Sequence, residues 1–305
     1  MRSVPLREHA EESLKHLTSE LANFDEITRC LLPRRGEVPR LRGIDICGGT
    51  LALNGIGGGD HLIYVDFKQC FDLRARIEQE ERREVIDNLE RCGRTTGIAL
   101  IDVSGHRATD AVLSAMLHQA FLLGAIYELD MFGQITRRLF EHLNTQFYKS
   151  SGPHKFVSLI YGEISEDAQF RFLSAAQPFP VVFSNRHDRF MEVGPERCVS
   201  FPPLGMMPSF YGIDRNTTGS LLGFKDHYQI NEWMLMGEGD ILLLHTDGLV
   251  NHENDTEGYF PGRLERTLRD AKQYTASEIF EAITTDLLAF GPAADDISLV
   301  VIKRT

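Results

Sequence analysis

The first pattern in the chain is a regular spacing of apolar residues near its start. Intervals of four and three residues alternate, with a single break at Thr28. The apolar positions are Ala10, Leu14, Leu17, Leu21, Phe24 and Leu31. This spacing predicts a helix that carries a short heptad seam. Two interpretations remain open: an amphipathic helix that packs on its own domain, or a coiled coil that dimerises or relays a signal.

Pro33 and the basic, proline-containing segment 34–42 predict the end of this helix. We therefore place a boundary near residue 40. It divides the chain into an N-terminal helix with its linker, residues 1–40, and a main domain, residues 41–305. The N-terminal part is a candidate dimerisation or regulatory element, because a helix outside the main domain is free to contact other chains.

Beyond residue 40, strand-like runs alternate with glycine-rich turns and long helices. Runs of β-branched and aromatic residues predict strands at 43–48, 62–67, 96–103, 156–164, 168–175, 181–184, 227–230, 240–245 and 297–303. Helices are predicted at 72–91, 108–127, 132–148, 262–271 and 277–289. Because the strands come in runs and the helices mostly in pairs, this order favours layered sheets covered by helices over a regular βαβ alternation.

One predicted helix lies in the segment 71–92, which is crowded with Glu and Arg. The favoured interpretation is a solvated helix with charge pairs between residues four apart, and a docking surface for a partner is the alternative.

Composition narrows the class of protein. The chain has 305 residues, of which 42% are hydrophobic and 25% charged, as is typical of a folded globular protein. Its 44 acidic and 32 basic side chains give a net charge of −12. This balance argues against nucleic acid or an anionic membrane as the main partner.

The spacing of the cysteines and the hydropathy of the chain indicate the cellular compartment of the protein. The five cysteines are widely spaced and form no CxxC pair, which predicts no zinc site and no disulfide framework, and fits a reducing cytoplasm. The N-terminus does not read as a secretory signal. The most apolar helical stretch, residues 111–127, is interrupted by Ser114, His118 and Gln119, so we expect no membrane span.

Four aspartates stand where predicted strands meet tight turns. They are Asp60, Asp102, Asp247 and Asp295. A carboxylate at a strand edge has a rigid support and can reach into a cleft, as a hard divalent cation requires of its ligands. Converging carboxylates repel one another, so such a cluster implies raised pKa values or bound Mg²⁺ or Mn²⁺. A single Asp of this kind is usually a turn or capping residue, but four together favour a site.

Seven motifs follow one another from about residue 40 to the C-terminus. They are GGGD (57–60), DVSGH (102–106), FVSLIYGEI (156–164), FLSAAQPFPVVFS (172–184), PPLG (202–205), HTDGLVNHEN (245–254) and DDISLVVIKR (295–304). In this order the chain resembles the SpoIIE-type branch of the metal-dependent protein phosphatase 2C class. The resemblance implies an α+β fold, a four-layer α/β/β/α sandwich with two mainly antiparallel sheets, and a binuclear Mn²⁺ or Mg²⁺ site at one end.

The resemblance also implies roles for individual residues. The implied metal ligands are Asp60, Asp102, the backbone carbonyl of Val103, Asp247 and Asp295, with Asp66 and Asp296 as candidates for the outer shell. Asp102 resembles the carboxylate that bridges both metals. A hydroxide shared by two cations is a strong nucleophile at neutral pH, so no covalent phosphoenzyme is required.

Two residues that follow the bridging aspartate have candidate roles in catalysis and substrate binding. His106 lies at a predicted helix N-terminus, where it would protonate the leaving Ser or Thr oxygen; the alternative is a surface or capping histidine. Arg107 replaces the last Gly of the family's DVSGHG. It either binds the substrate phosphate or points to solvent.

The chain departs from the family pattern elsewhere. Residues 174–177 read SAAQ where relatives often have NAGH, and Asn251 stands where Glu is common. The spacing between Asp60 and Asp66 is longer than in the usual GDYYD, and the helix at 71–92 has the character of an insertion. None of these departures removes a proposed metal ligand.

We therefore predict a cytoplasmic, metal-dependent protein serine/threonine phosphatase of a signalling circuit. By resemblance, its substrate is a phosphorylated anti-sigma-factor antagonist of the STAS type, and its N-terminal helix forms a homodimer or docks an activator. One alternative is a catalytically silent scaffold that binds a phosphoprotein. A second treats GIGGG (55–59) as a nucleotide-binding loop, but that loop leads into a predicted strand, where phosphate binding requires a helix.

Overall fold

The computed structural model describes residues 5–29, 38–51, 59–104, 108–150, 155–212, 219–254 and 256–305. Its helices are α1 Pro5–Arg29, α2 Phe67–Cys70, α3 Leu73–Gln79, α4 Arg83–Cys92, α5 Ala108–Phe132, α6 Arg137–Ser150, α7 Asp247–Val250, α8 Gly262–Ala271 and α9 Ala276–Phe290. Its strands are β1 Ile44–Leu51, β2 Asp60–Asp66, β3 Thr95–Val103, β4 Val157–Ser165, β5 Phe170–Ala175, β6 Val181–Ser184, β7 Arg189–Phe190, β8 Ser200–Phe201, β9 Asn231–Trp233, β10 Ile241–His245 and β11 Ile297–Arg304.

The strands form two sheets. The first has the order β1-β11-β10-β6-β7 and is antiparallel throughout. The second has the order β2-β3-β4-β5-β8, and β9 also pairs with β5. Among the described strands of this second sheet, β5 and β8 alone run parallel. The two mainly antiparallel sheets predicted from the sequence are confirmed.

Three hydrophobic layers hold the sheets and helices together, and β3 shows how they arise. Alternate residues of a strand face opposite sides of its sheet. Ile98 and Leu100 of β3 pack between the two sheets, whereas Ala99 and Ile101 pack beneath α4, α5 and α6. A third layer lies between the first sheet and the helices α8 and α9. The order of layers is therefore α/β/β/α, as predicted.

The helix predicted at 72–91 is divided into α3 and α4. The carboxylate of Glu80 accepts hydrogen bonds from the backbone N–H groups of the next two residues, at 2.9 and 2.8 Å. Such local bonds compete with those of a continuous helix. The predicted charge pairs are present on both parts, with Arg74–Glu78 and Arg83–Asp87 each at 2.8 Å.

The strand predicted at 227–230 was wrong, since β9 begins only at residue 231. A side chain of α6 takes the backbone of this segment away from the sheet. Glu141 accepts a hydrogen bond from the N–H of Tyr228 at 2.7 Å and forms an ion pair with Lys225 at 3.0 Å. The two-residue strands β7 and β8 were not predicted, because so short a run carries no periodicity.

The N-terminal helix α1 lies against α5. Two residues of its apolar seam, Leu14 and Leu17, nevertheless face solvent. Leu14 is 65% exposed and Leu17 is 61% exposed. These two positions therefore do not pack on the main domain.

The helix α5 has two different faces. Its segment Val112–Phe132 is long and apolar enough, by length and composition, to cross a membrane, which the sequence analysis did not expect. Phe121 and Leu129 on one face are fully buried in the core beneath the second sheet. Met116 and Leu123 on the other face are 58% and 70% exposed. The helix is thus both a core element and an apolar surface.

Candidate active site

Four turns and strand ends bring aspartates together at one end of the sandwich. Asp60 begins β2 and lies directly opposite Asp102 of β3 in the strand register. Asp247 follows the end of β10, and Asp295 and Asp296 directly precede β11. Because β10 and β11 are antiparallel neighbours, the end of one strand meets the beginning of the other. We call these five residues the acidic cluster.

The carboxyl groups of the acidic cluster lie close enough to one another to change the pKa values of Asp60 and Asp102. Burial raises the pKa of Asp102 to about 6, and the nearby charges of Asp247, Asp295 and Asp296 add to this effect. Burial also raises the pKa of Asp60, which is 6% exposed, with further contributions from Asp102 and Asp296. Asp247 is exposed at the rim. The site therefore has a buried acidic floor that is open to solvent on one side.

Hydrogen bonds from neighbouring loops fix the buried carboxylates. Thr246 donates its hydroxyl proton to Oδ2 of Asp60 at 2.8 Å, and its Oγ1 accepts from the backbone N–H of Ser298 at 2.9 Å. The N–H of Gly59 donates to Oδ2 of Asp296 at 3.0 Å. These bonds connect the two sheets at the acidic cluster, so the positions of its members are set by the sandwich and not by one loop.

Gly248 allows the turn after Asp247 to approach the turn before β11. A Cβ atom at this position would meet the backbone carbonyl of Asp296 at a distance that real Cβ atoms do not show. The TDG motif therefore ends in Gly because the two turns are in backbone contact. This contact brings Asp247 beside Asp295 and Asp296.

A second arrangement holds the ends of the segment between β3 and α5. Lys155 donates to the backbone carbonyl of Ser104 at 2.9 Å and forms an ion pair with Asp110, which is fully buried. Ser114 donates to the carbonyl of Gly59 at 3.1 Å. The start of α5 is therefore tied both to the end of β3 and to the residue before Asp60.

The structure corrects one of the predicted site residues. Asp66 lies at the opposite end of β2 from Asp60, six residues and therefore roughly 20 Å away. Its Oδ1 accepts hydrogen bonds from the N–H groups of Lys68 and Gln69, both at 3.1 Å, as the N-cap of α2. Asp66 is a helix cap and does not reach the acidic cluster, because the length of the seven-residue strand β2 separates it from Asp60.

The other predicted residues fall into two groups. Asp60, Asp102, Asp247, Asp295 and Asp296 meet in the acidic cluster, and Val103 adjoins it, with its N–H bonded to the carbonyl of Gly59 at 3.2 Å. His106 and Arg107 lie outside the described residues. Sequence reasoning missed Thr246, Ser158 and Lys155 as supporting residues, because strand register and loop contacts are not visible in a single sequence.

The chemistry of the acidic cluster fits a hard divalent cation. Carboxylate oxygens are the ligands that Mg²⁺ and Mn²⁺ prefer. A bound cation would relieve the repulsion that, together with burial, raises the pKa of Asp102. Within the described ranges, no three His, Cys, Asp or Glu side chains already stand in ligating positions around one point. The carboxylate ligands are therefore present and close together, but they do not surround a single point in the described part of the chain.

Comparisons with known proteins agree with this architecture. A family model described as Stage II sporulation protein E (SpoIIE) matches residues 93–305. A search of curated protein sequences found no match. The chain is similar in structure to the SiaA-PP2C domain of Pseudomonas aeruginosa, with 17% identity and a TM-score of 0.62, over 96% of this chain and 98% of that one.

Two further solved structures show the same fold. The phosphatase domain and a fragment of the regulatory domain of SpoIIE from Bacillus subtilis match with 17% identity and a TM-score of 0.58, over 85% of this chain and 63% of that one. RsbX, solved in complex with magnesium, matches with 14% identity and a TM-score of 0.51, over 86% of this chain and 96% of that one. The fold is that of the PP2C phosphatases. Since the family model covers more than half of the sequence, the chain belongs to the SpoIIE family.

Proposed function

We propose that this chain is a metal-dependent protein serine/threonine phosphatase that acts in a signalling circuit. The observation that carries the proposal is the acidic cluster, in which burial and the neighbouring charges of Asp247, Asp295 and Asp296 raise the pKa of Asp102. A phosphate ester cannot approach such a site without a cation, because the carboxylates would repel it. The SpoIIE family and the PP2C fold supply the matching reaction class, the hydrolysis of a phosphate monoester.

Two Mn²⁺ or Mg²⁺ ions are the proposed cofactors. Asp102 would bridge them, Asp247 and Asp295 would complete the first ion, and Asp60 with the carbonyl of Val103 would hold the second. When bound, such ions activate water as the nucleophile and draw charge from the phosphoryl oxygens. Asp296 would belong to the outer shell of the site, where the N–H of Gly59 donates to its carboxylate and fixes its position.

The segment between β3 and α5 would supply the remaining groups. His106 would protonate the leaving serine or threonine oxygen, and the guanidinium of Arg107 would bind the phosphate. The ion pair between Lys155 and Asp110, together with the bond from Lys155 to Ser104, supports this assignment because it fixes the described residues on both sides of the segment.

The substrate and the partners rest on the family resemblance. We infer that the substrate is a phosphorylated STAS-type anti-sigma-factor antagonist, and that the chain works in the cytoplasm. The described cysteines Cys47, Cys70, Cys92 and Cys198 are free thiols, which fits a reducing compartment. We further infer that residues 1–40 form a dimerisation element separate from the domain at 41–305. The exposed side chains of Leu14 and Leu17 support this inference.

Hydrolysis of p-nitrophenyl phosphate with and without Mn²⁺ tests the proposed activity. We expect metal-dependent turnover by the wild type and a loss of about 100-fold or more in Asp102→Asn and Asp247→Asn, since each removes a charged ligand. Asp167→Asn is the matched control, because Asp167 is an exposed carboxylate that pairs with Arg94 away from the cluster. This control should keep wild-type turnover.

The alternative is a catalytically silent scaffold that binds a phosphoprotein. It is favoured by one observation, that the described carboxylates are not closed around a common point. Isothermal titration with Mn²⁺ separates the two functions. A folded wild-type chain that binds no Mn²⁺ and hydrolyses no phosphate ester would replace the phosphatase by the scaffold.

A further inference from the structure

A short chain of hydrogen bonds leads from the loop after β5 to the acidic cluster. Ser158 of β4 lies directly opposite Asp102 of β3 in the strand register. Its hydroxyl donates to Oδ2 of Asp102 at 3.1 Å, and Nε2 of Gln177 donates to the hydroxyl oxygen of Ser158 at 3.2 Å. We call these two side chains the Gln177–Ser158 relay.

The donors and acceptors of the relay can be assigned from chemistry alone. A serine hydroxyl has one proton, and a carboxylate can only accept. Once the proton of Ser158 is directed to Asp102, its oxygen must accept from the next group. Gln177 therefore has to present its NH₂ and not its carbonyl oxygen. The backbone carbonyl of Asp102 is a second acceptor within reach of the hydroxyl, at 3.3 Å, but the charged carboxylate is the stronger one.

The side chain of Gln177 is buried in the protein interior. The side chain is only 4% exposed, and its Oε1 is buried without a hydrogen-bond partner in the part of the chain that the structure describes. A buried polar group without a partner is costly, so the position is not explained by stability. Nε2 of the amide therefore reaches Ser158, whereas Oε1 makes no hydrogen bond to the described residues.

The backbone around Gln177 is fixed as well. Ser174 donates its hydroxyl proton to the carbonyl of Gln177 at 2.9 Å, and the N–H of Ala176 donates to the hydroxyl of Ser200 at 3.3 Å. Ala176 has a φ of 62°, a left-handed conformation that is unfavourable for a residue with a Cβ atom. The turn therefore keeps an unfavourable backbone geometry that directs the next side chain inward.

We propose that Gln177 and Ser158 are positioning residues that orient the carboxylate of Asp102 for metal binding. The inference rests on the proposed metal-dependent function, because it concerns the same carboxylate. A hydroxyl that donates to Oδ2 fixes the rotation of the carboxyl group and leaves Oδ1 and the remaining lone pair of Oδ2 for cations. Gln177 acts through Ser158, since it fixes the direction of that hydroxyl. Partners of this kind typically change metal affinity by about 10- to 100-fold.

The test measures Mn²⁺ affinity by isothermal titration, together with the kcat and KM of p-nitrophenyl phosphate hydrolysis. We expect Ser158→Ala and Gln177→Leu each to raise the Kd of Mn²⁺ by about tenfold. Gln177→Met keeps the length of the side chain but has no NH₂ donor and adds no charge, so it should weaken binding equally. Ser158→Thr keeps the hydroxyl and should bind Mn²⁺ like the wild type. The double variant Ser158→Ala with Gln177→Leu should be no weaker than Ser158→Ala alone.

Matched controls come from the far end of the same strand. Ser165→Ala and Gln169→Met make the same chemical changes in a serine of β4 and a glutamine close to it, away from the acidic cluster. Both should keep the wild-type Kd. Equal melting temperatures of all variants in EDTA establish that the fold is intact. If Ser158→Ala and Gln177→Leu lower the melting temperature, Gln177→Met and Ser158→Thr still decide the question.

The outcomes separate this inference from the proposed activity. Normal Mn²⁺ affinity in Ser158→Ala and Gln177→Met would overturn the relay, even with full metal-dependent turnover in the wild type. Weakened Mn²⁺ affinity in these variants, without turnover in the wild type, would support the relay and overturn the phosphatase. A wild-type chain that binds no Mn²⁺ would overturn both. A rise in KM without a change in Mn²⁺ affinity would assign the pair to substrate binding and contradict the proposal.

Discussion

At the scale of single residues, Asp102 combines two opposing requirements. It must be ionised to hold a cation, yet burial and three neighbouring aspartates raise its pKa to about 6. In the metal-free protein this carboxyl group therefore opposes folding when it is charged. A pKa that is raised in the folded state adds stability below the unfolded value of about 3.9 and loses it as the pH rises through the folded value.

The sign of this effect gives a prediction for the metal-free chain. Between pH 4 and pH 7 in EDTA, we expect the wild type to lose about 2 kcal/mol of unfolding free energy relative to Asp102→Asn, which has no such charge. Urea denaturation of both proteins at several pH values measures the difference. The unfolding free energies of the wild type and Asp167→Asn should change with pH in the same way. A constant difference between wild type and Asp102→Asn across this range would contradict the raised pKa.

Sequence reasoning reached the residues of the acidic cluster for a physical reason. Asp60, Asp102 and Asp247 each stand beside a run of buried strand residues, and this local pattern is visible without a structure. Thr246 and Ser158 were missed because their roles depend on which strands become neighbours. Asp66 was placed wrongly because the length of β2, and not its sequence motif, decides which of its ends reaches the cluster.

At the scale of elements, the ion pair between Lys155 and Asp110 joins the start of α5 to the segment that precedes β4. Asp110 is fully buried, and removal of the Lys155 ammonium destabilises the fold because the buried carboxylate loses a favourable charge interaction. We predict that Lys155→Met loses about 2 kcal/mol of unfolding free energy, less than for a fully buried pair because Lys155 is 32% exposed. Urea denaturation measures the loss.

Two further variants test the cause of that loss. Lys155→Met combined with Asp110→Asn should recover part of it, because no buried charge remains. Lys68→Met is the control, since Lys68 is 49% exposed and its ion pair with Glu166 is long, at 3.6 Å. A double variant that is less stable than Lys155→Met would show that the two side chains act independently.

The elements themselves were predictable where their periodicity is long. The helix α8 has the predicted bounds, and α9 extends the prediction by one residue at each end, since apolar residues recur along their full lengths. The break between α3 and α4 was not predictable from periodicity, because a single side chain, Glu80, redirects the backbone hydrogen bonds. Likewise, the segment 227–230 has the composition of a strand, but Glu141 of α6 captures its backbone.

At the scale of the whole molecule, the exposed apolar positions of α1 and α5 predict self-association. We expect the full chain to be a dimer by light scattering at micromolar concentration. Leu17→Glu should shift it to a monomer, because a charge at an apolar seam must be desolvated on association. Ser19→Glu adds the same charge on the other side of the helix and should leave the mass unchanged. A wild-type monomer would contradict the predicted dimer.

The position of β2 in its sheet has a consequence for how the acidic cluster is assembled. Among the described strands, β2 pairs with β3 alone and forms an edge, whereas Asp102 belongs to an interior strand. Edge strands fray at lower free energy than the core, so Asp60 can separate from Asp102 while the sandwich stays folded. A cation held by both would oppose this fraying and transfer its binding free energy to the local stability of one strand. Amide exchange along β2 thereby reports the occupancy of the site, without any measurement of catalysis.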